Sequence, residues 1–163
     1  MRLAPFCILV WISISGFACG EESALSGSQC EIMSCSYDKI VCQRYSSPQP
    51  PAIIVHYKRV LEVGERWTAK INIDLYGIES AEGQRFDYDE NSPEDNEFTN
   101  RVTLSRPGPI DEEQWPEFNG KFCEIKKGGD LPGTDTSGKC SFSFRNGYFL
   151  TAEFDCTLEA VIP

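Results

Sequence analysis

The sequence predicts an all-β domain, an antiparallel β-sandwich of immunoglobulin-like kind or a flattened barrel, stapled by disulfides. Three observations carry that expectation. Short runs alternate apolar and polar residues with a period of two; Ala69, Ile71, Ile73 and Leu75 against Lys70, Asn72, Asp74 and Tyr76 is the clearest case. Polar turns rich in Pro and Gly separate these runs, and no stretch keeps a convincing helical period. The chain holds 8 cysteines in 163 residues, without the paired C-x2-C knuckles of a zinc site.

Taken in order, the chain opens with a positive residue, Arg2, and an apolar segment from Leu3 to Phe17. That segment is too short to span a bilayer and ends in small residues, so residues 1–18 read as a signal peptide. Two cuts fit. Gly16 and Ala18 suit an ordinary signal peptidase, whereas Ala18-Cys19 resembles a bacterial lipoprotein box, although Gly16 and Phe17 depart from its usual residues. Cysteine arithmetic favours the second. Removing residues 1–18 takes Cys7 and leaves Cys19, Cys30, Cys35, Cys42, Cys123, Cys140 and Cys156, an odd set. With Cys19 lipidated, the other six form three disulfides. Each half of the domain supplies three of those six, so at least one disulfide must join the halves.

Residues 19–29 are small, polar or acidic and read as the lipidated cysteine followed by a flexible stalk, with a single β-rich domain over 30–163. Within it, strands are expected over 37–45, 52–61 with Ile53, Val55 and Tyr57 on one face, and 67–76. Residues 79–97 carry Glu79, Glu82, Asp87, Asp89, Glu90, Glu94, Asp95 and Glu97 and read as a long exposed acidic loop. Val102 and Leu104 mark a strand over 99–106, closed by Pro107-Gly108-Pro109, and Trp115 and Phe118 dock the connection that follows. A short strand covers 121–126 and a loop 128–138. The final hairpin is the best specified piece: a two-residue Asn146-Gly147 turn would mix its faces. A three-residue loop with Gly147 left-handed pairs Phe144 with Tyr148 and Phe142 with Leu150, keeping one face apolar.

The formal net charge is −10, and the export segment removes one cation and no acid. An acidic excess without a basic cluster argues against nucleic acid and against a polybasic grip on anionic lipid. Six paired cysteines suit an oxidising compartment.

Few residue sets point to chemistry. Asp87-x-Asp89-x-Asn91 opens like a calcium loop, with oxygens at alternate positions, but Ser92, Pro93 and Phe98 occupy places where the strong version has other residues. It is a weak calcium candidate of millimolar type against a solvated acidic loop, and no other cofactor is indicated. Gly133-Thr134-Asp135-Thr136-Ser137-Gly138-Lys139-Cys140 nearly spells a phosphate loop, yet cysteine replaces the magnesium-binding hydroxyl and a strand, not a helix, follows, so no nucleotide site is read. His56 is the only histidine, which removes a multi-histidine metal centre or a histidine-based triad.

An export signal ending in Cys19, a start with Cys30, Cys35 and Cys42, and an all-β body ending in a Phe-rich hairpin together resemble the small lipoproteins of unknown function found in delta-proteobacteria such as myxobacteria. The resemblance is one of layout and brings no catalytic or binding residues. It implies an outer-membrane or periplasmic lipoprotein, held to the membrane through its lipid, with a non-catalytic binding or structural role toward an envelope protein or glycan. Gly20 after the lipid cysteine, in place of Asp, resembles proteins sorted to the outer membrane. The alternatives are a soluble secreted binder or inhibitor and, third, a carboxylate-dependent hydrolase with two convergent acids.

Overall fold

The computed structural model describes residues 25–32, 34–45, 51–89, 101–107, 112–114 and 117–162; residues 1–18, expected to be a signal peptide, and Cys19, Asn91 and Trp115 lie outside them. The described residues form ten strands: β1 (Leu25–Ser26), β2 (Lys39–Tyr45), β3 (Ala52–Val60), β4 (Glu65–Asp74), β5 (Arg85–Asp89), β6 (Val102–Pro107), β7 (Glu112–Gln114), β8 (Phe118–Lys127), β9 (Asp135–Phe144) and β10 (Phe149–Ile162). The one helix among the described residues, α1, is a single turn at Gln29–Ile32.

Every strand except β1 falls on one path, β5-β8-β9-β10-β2-β3-β4-β6-β7, while β1 pairs with β10. The all-β, disulfide-stapled expectation is met, and of its two forms the nearly closed, curled sheet is the flattened barrel. β10 makes the curl. Its first part, through Thr157, pairs antiparallel with β9, and Leu158 to Ile162 pair with β2 in parallel, with a register shift between Leu158 and Ala160. This is the one parallel pair in the sheet, and it arises because the first long strand and the last run the same way where they meet.

Alternation fixes which residues face inward. Ile53, Val55 and Tyr57 on β3 and Ala69, Ile71, Ile73 and Leu75 at β4 are fully buried, as are Leu104, Ile125 and Leu150 from the other strands. Each large aliphatic side chain so placed contributes about 1.5–3 kcal/mol by leaving water. The two walls are also tied by polar contacts. The Tyr57 hydroxyl of β3 donates to the Glu153 carbonyl oxygen of β10 at 2.7 Å, and burial, then Tyr37 and Glu153, holds the phenol well above its ordinary pKa. The Tyr37 ring meets the Tyr57 ring edge-on at 5.1 Å.

The C-terminal hairpin has the expected register. Phe142 pairs with Leu150, the Phe144 amide donates to the Tyr148 carbonyl at 3.0 Å, and Gly147 adopts φ +84°, the left-handed conformation that the three-residue loop needs. All six expected cysteines are bonded: Cys30 to Cys35, Cys42 to Cys156 and Cys123 to Cys140. The second joins β2 to β10 across 114 residues, the bridge between halves that the odd grouping requires.

Several boundaries differ from the sequence reading: β6 includes Pro107, β7 is unexpected, β8 begins at Phe118 and not at 121, and three further differences have a readable cause. The domain begins by Leu25, not Cys30: Leu25 is packed in the core and pairs with Ala152, and Gln29 is buried, so at least 25–29 of the expected stalk are part of the fold. A two-residue strand leaves no period to read. The acidic loop contains strand β5, which pairs with β8 and buries Phe86 between the charged residues Arg85 and Asp87. It lies at the end of the sheet path, where charged residues limit edge-to-edge pairing. Finally, β9 starts at Asp135 inside the expected 128–138 loop. Its inward positions there are Thr136, whose Oγ1 accepts from the Gly129 amide at 3.3 Å, and Gly138, so the buried side carries no apolar signal.

Candidate functional site

The β3–β4 hairpin runs past its last core pair, Tyr57 and Ala69, through a register irregularity between Tyr57 and Lys58. A bulge of this kind re-aims the side chains beyond it. After it, Lys58 stands opposite Trp67 and Arg59 directly opposite Arg66. The turn closes through the Leu61 amide donating to the Gly64 carbonyl at 2.9 Å, with Gly64 at φ +83°. It leaves Val60, Leu61 and Val63 exposed, Val63 almost completely at 93%.

Arg106 and Pro107, at the end of β6, meet this extension. Together with Arg59, Leu61, Arg66 and Trp67 they line a cleft of about 330 Å³, whose polar wall is Ser34 and Thr68. That volume lies within the ordinary range of small-molecule sites. The segment after the Cys30–Cys35 bond holds the cleft in shape. The Thr68 hydroxyl donates to the Ser36 carbonyl at 2.8 Å, the Asp38 amide to the Lys58 carbonyl at 2.8 Å, and the Val60 amide to the Asp38 carboxylate at 2.7 Å. The Lys70 ammonium lies 5.7 Å from the centre of the Trp67 ring.

Three arginines line the cleft in an otherwise acidic chain. Two described acids lie next to it in sequence, Glu62 beside Leu61 and Glu65 beside Arg66; Glu65 pairs with Lys39 at 2.6 Å and Lys58 at 3.3 Å. The Lys39 hydrogen bond, followed by that of Lys58, holds its carboxyl below the usual glutamate range, and Glu65 in turn raises Lys39 above the usual lysine range. Glu113 occupies the position across from Arg106 in the β6–β7 register. Arg59 and Arg66 face one another, and like charges directly opposite in an antiparallel pair are destabilising.

The candidate sets singled out from sequence lie on separate strands or outside the described residues. Asp87 lies on strand β5, exposed and paired with Arg85 at 3.3 Å; Asp89 follows on the same strand, and Asn91 lies outside the described residues. Asp87 and Asp89 thus lie on a strand and not in the loop expected there, alternate residues of an extended strand being about 7 Å apart. Among the described residues there is no group of three His, Cys, Asp or Glu placed to hold a metal. His56 sits half-buried on β3, opposite Val41 and Lys70 in the two ladders. In the phosphate-loop lookalike, Thr136 and Cys140 belong to β9, and the thiol of Cys140 is bonded to Cys123, so no loop wraps an anion there. Cys19 lies outside the described residues.

A second polar depression, over β5, β8 and β9, is lined by Asp87, Asn119, Lys121, Ser141 and Ser143 among others. Its lysine has a structural job: the ammonium donates to the Val102 carbonyl at 3.1 Å, between the Phe118 and Tyr88 rings at 4.7 and 5.7 Å, and burial holds its pKa below that of an ordinary lysine.

No protein family, curated protein or solved structure matches this chain.

The arginine cleft was not legible beforehand. Arg59, Arg66 and Arg106 are separated by a turn and by a long insertion between β4 and β6, and in sequence each is one cation in an alternating strand. The only available signal was the exposed apolar turn flanked by Arg59, Arg66 and Trp67.

Proposed function

We propose that this chain is an exported lipoprotein of the outer membrane or periplasm, anchored through Cys19, with a non-catalytic binding role toward other envelope components. The supporting observation is the cysteine pairing. Three disulfides use Cys30, Cys35, Cys42, Cys123, Cys140 and Cys156, which leaves Cys19 as the only cysteine after the export segment without an assigned bond. A thiol at that position, directly after Ala18, is where the lipoprotein pathway attaches lipid. The disulfides agree with an oxidising compartment. For a binding role, support comes from a cleft lined by arginines and a tryptophan, side chains suited to recognising ligands.

The test is fractionation of cells making the wild-type chain or Cys19→Ala, with mass spectrometry of the mature N-terminus. A single acyl chain gives a membrane association constant of only about 10⁴ M⁻¹, so stable anchoring calls for more than one. The expected result is a multiply acylated Cys19 in the membrane fraction and a soluble variant. An unmodified N-terminus beginning at Cys19 would support the secreted alternative. A variant that stays with membranes after a high-salt wash places the anchor elsewhere.

A further inference from the structure

We infer that the cleft at the end of the β3–β4 hairpin binds an oxyanion, a carboxylate, phosphate or sulfate, carried on an apolar body. The inference names a ligand class for the binding role above and rests on that reading only for the compartment. Three observations converge on it. Arg59 and Arg66 stand directly opposite each other at exposed positions, and neither has an acidic partner among the described residues, although the chain carries 25 Asp and Glu. A like-charge pair is a cost to the fold that an anion between the two guanidinium groups removes. Arginine's planar fork matches an oxyanion with two parallel N–H bonds, which a lysine's point charge does not do.

The second observation is the wall beside the arginines. Leu61, Trp67 and Pro107 line the same cleft, and Val63 projects from the adjoining turn at 93% exposure. An inorganic ion would leave this apolar surface in water, whereas an anionic headgroup with an alkyl or ring portion covers it. Third, the framework is fixed before any ligand arrives: Thr68 donates to Ser36 and Val60 to Asp38, both in the segment next to the Cys30–Cys35 disulfide, so little ordering is left to be done on binding. Within an acidic molecule, the positive cleft also gives an approaching anion one favourable place to land.

The test is calorimetric titration of the full-length Cys19→Ala chain, made in an oxidising host compartment, so that no acyl group of its own competes. Octyl phosphate, inorganic phosphate and uncharged octyl glucoside are the probes. Octyl phosphate is expected to bind at least tenfold more tightly than either of the other two, and to weaken as salt is raised. Arg59→Gln and Arg66→Gln should each weaken it tenfold or more, while Arg85→Gln, on strand β5, should leave it unchanged. Circular-dichroism melts confirm that each variant is folded. Equal affinity for inorganic phosphate would overturn the apolar half of the inference, equal affinity for octyl glucoside the anionic half. Undiminished binding by the Arg59→Gln/Arg66→Gln double variant, or no binding of octyl phosphate, would overturn the site itself. None of these results bears on where the protein is anchored, and the fractionation experiment does not bear on the cleft.

Discussion

Arg66 and Tyr57 show how single residues on one hairpin serve different ends. Arg66 opposes Arg59 at an exposed position, so Arg66→Glu turns a repulsive cross-strand pair into an attractive one. The expected outcome is a stability gain of about 0.2–1 kcal/mol, read as a higher urea midpoint, together with loss of octyl phosphate binding. A variant that both binds worse and melts earlier would show that Arg66 supports the hairpin itself. Tyr57 works the other way. Its ring is part of the core and its hydroxyl satisfies the Glu153 carbonyl on the opposite wall. Tyr57→Phe keeps the packing but orphans that carbonyl, which should cost about 1–3 kcal/mol in denaturant unfolding. Periodicity placed Tyr57 on the inward face. Its partner could not be read, because the contact spans 96 residues.

At the scale of elements, strands are positioned both by ion pairs across ladders and by what their residues lack. Lys39 of β2, Lys58 of β3 and Glu65 of β4 form one exposed cluster. Glu65 has its folded pKa lowered, so its contribution is present above the ordinary glutamate pKa and is lost as pH falls through the lower folded value. Lys39 has its folded pKa raised, so its contribution is present below the ordinary lysine pKa and is lost as pH rises through the higher folded value. In melting curves across pH, Glu65→Gln should lower stability slightly at neutral pH and flatten the acid-side decline by the same amount, the two curves converging in acid; an identical acid slope would show that other carboxylates carry it. β9 depends instead on Gly138. A Cβ there would lie 2.4 Å from the Glu124 carbonyl oxygen of β8 and 2.6 Å from the Phe154 ring of β10, both of which are held in paired strands. Gly138→Ala is therefore expected to destabilise by about 1–3 kcal/mol through overpacking, measured as a lower urea midpoint. Sequence placed Gly138 in a loop because glycine usually marks one, whereas its use here is the close approach of three strands.

For the molecule as a whole, the Cys42–Cys156 bond closes the first long strand onto the last. Its 114-residue separation gives about 4.8 kcal/mol in the chain-entropy model, with measured effects commonly nearer 2–4 kcal/mol. The Cys42→Ala/Cys156→Ala double variant should lose that amount, whereas the Cys30→Ala/Cys35→Ala variant, which opens a separation of only 5 residues, should lose much less. Equal losses would mean that the bonds act through local geometry and not through the closed loop. Local features are legible in the chain alone: the class of fold, most of the long strands, the inward faces of β3, β4, β9 and β10, the register of the last hairpin, and the need for a disulfide between halves. Alternation, turn chemistry and the odd grouping of cysteines are readable within a few residues or by counting. Tertiary structure decided the rest: the partner of each cysteine, the parallel join of β10 to β2, the strand inside the acidic segment, and the meeting of Arg59, Arg66 and Arg106. Those depend on which distant strands become neighbours, and a single strand's pattern states only which of its faces is buried, not what lies against it.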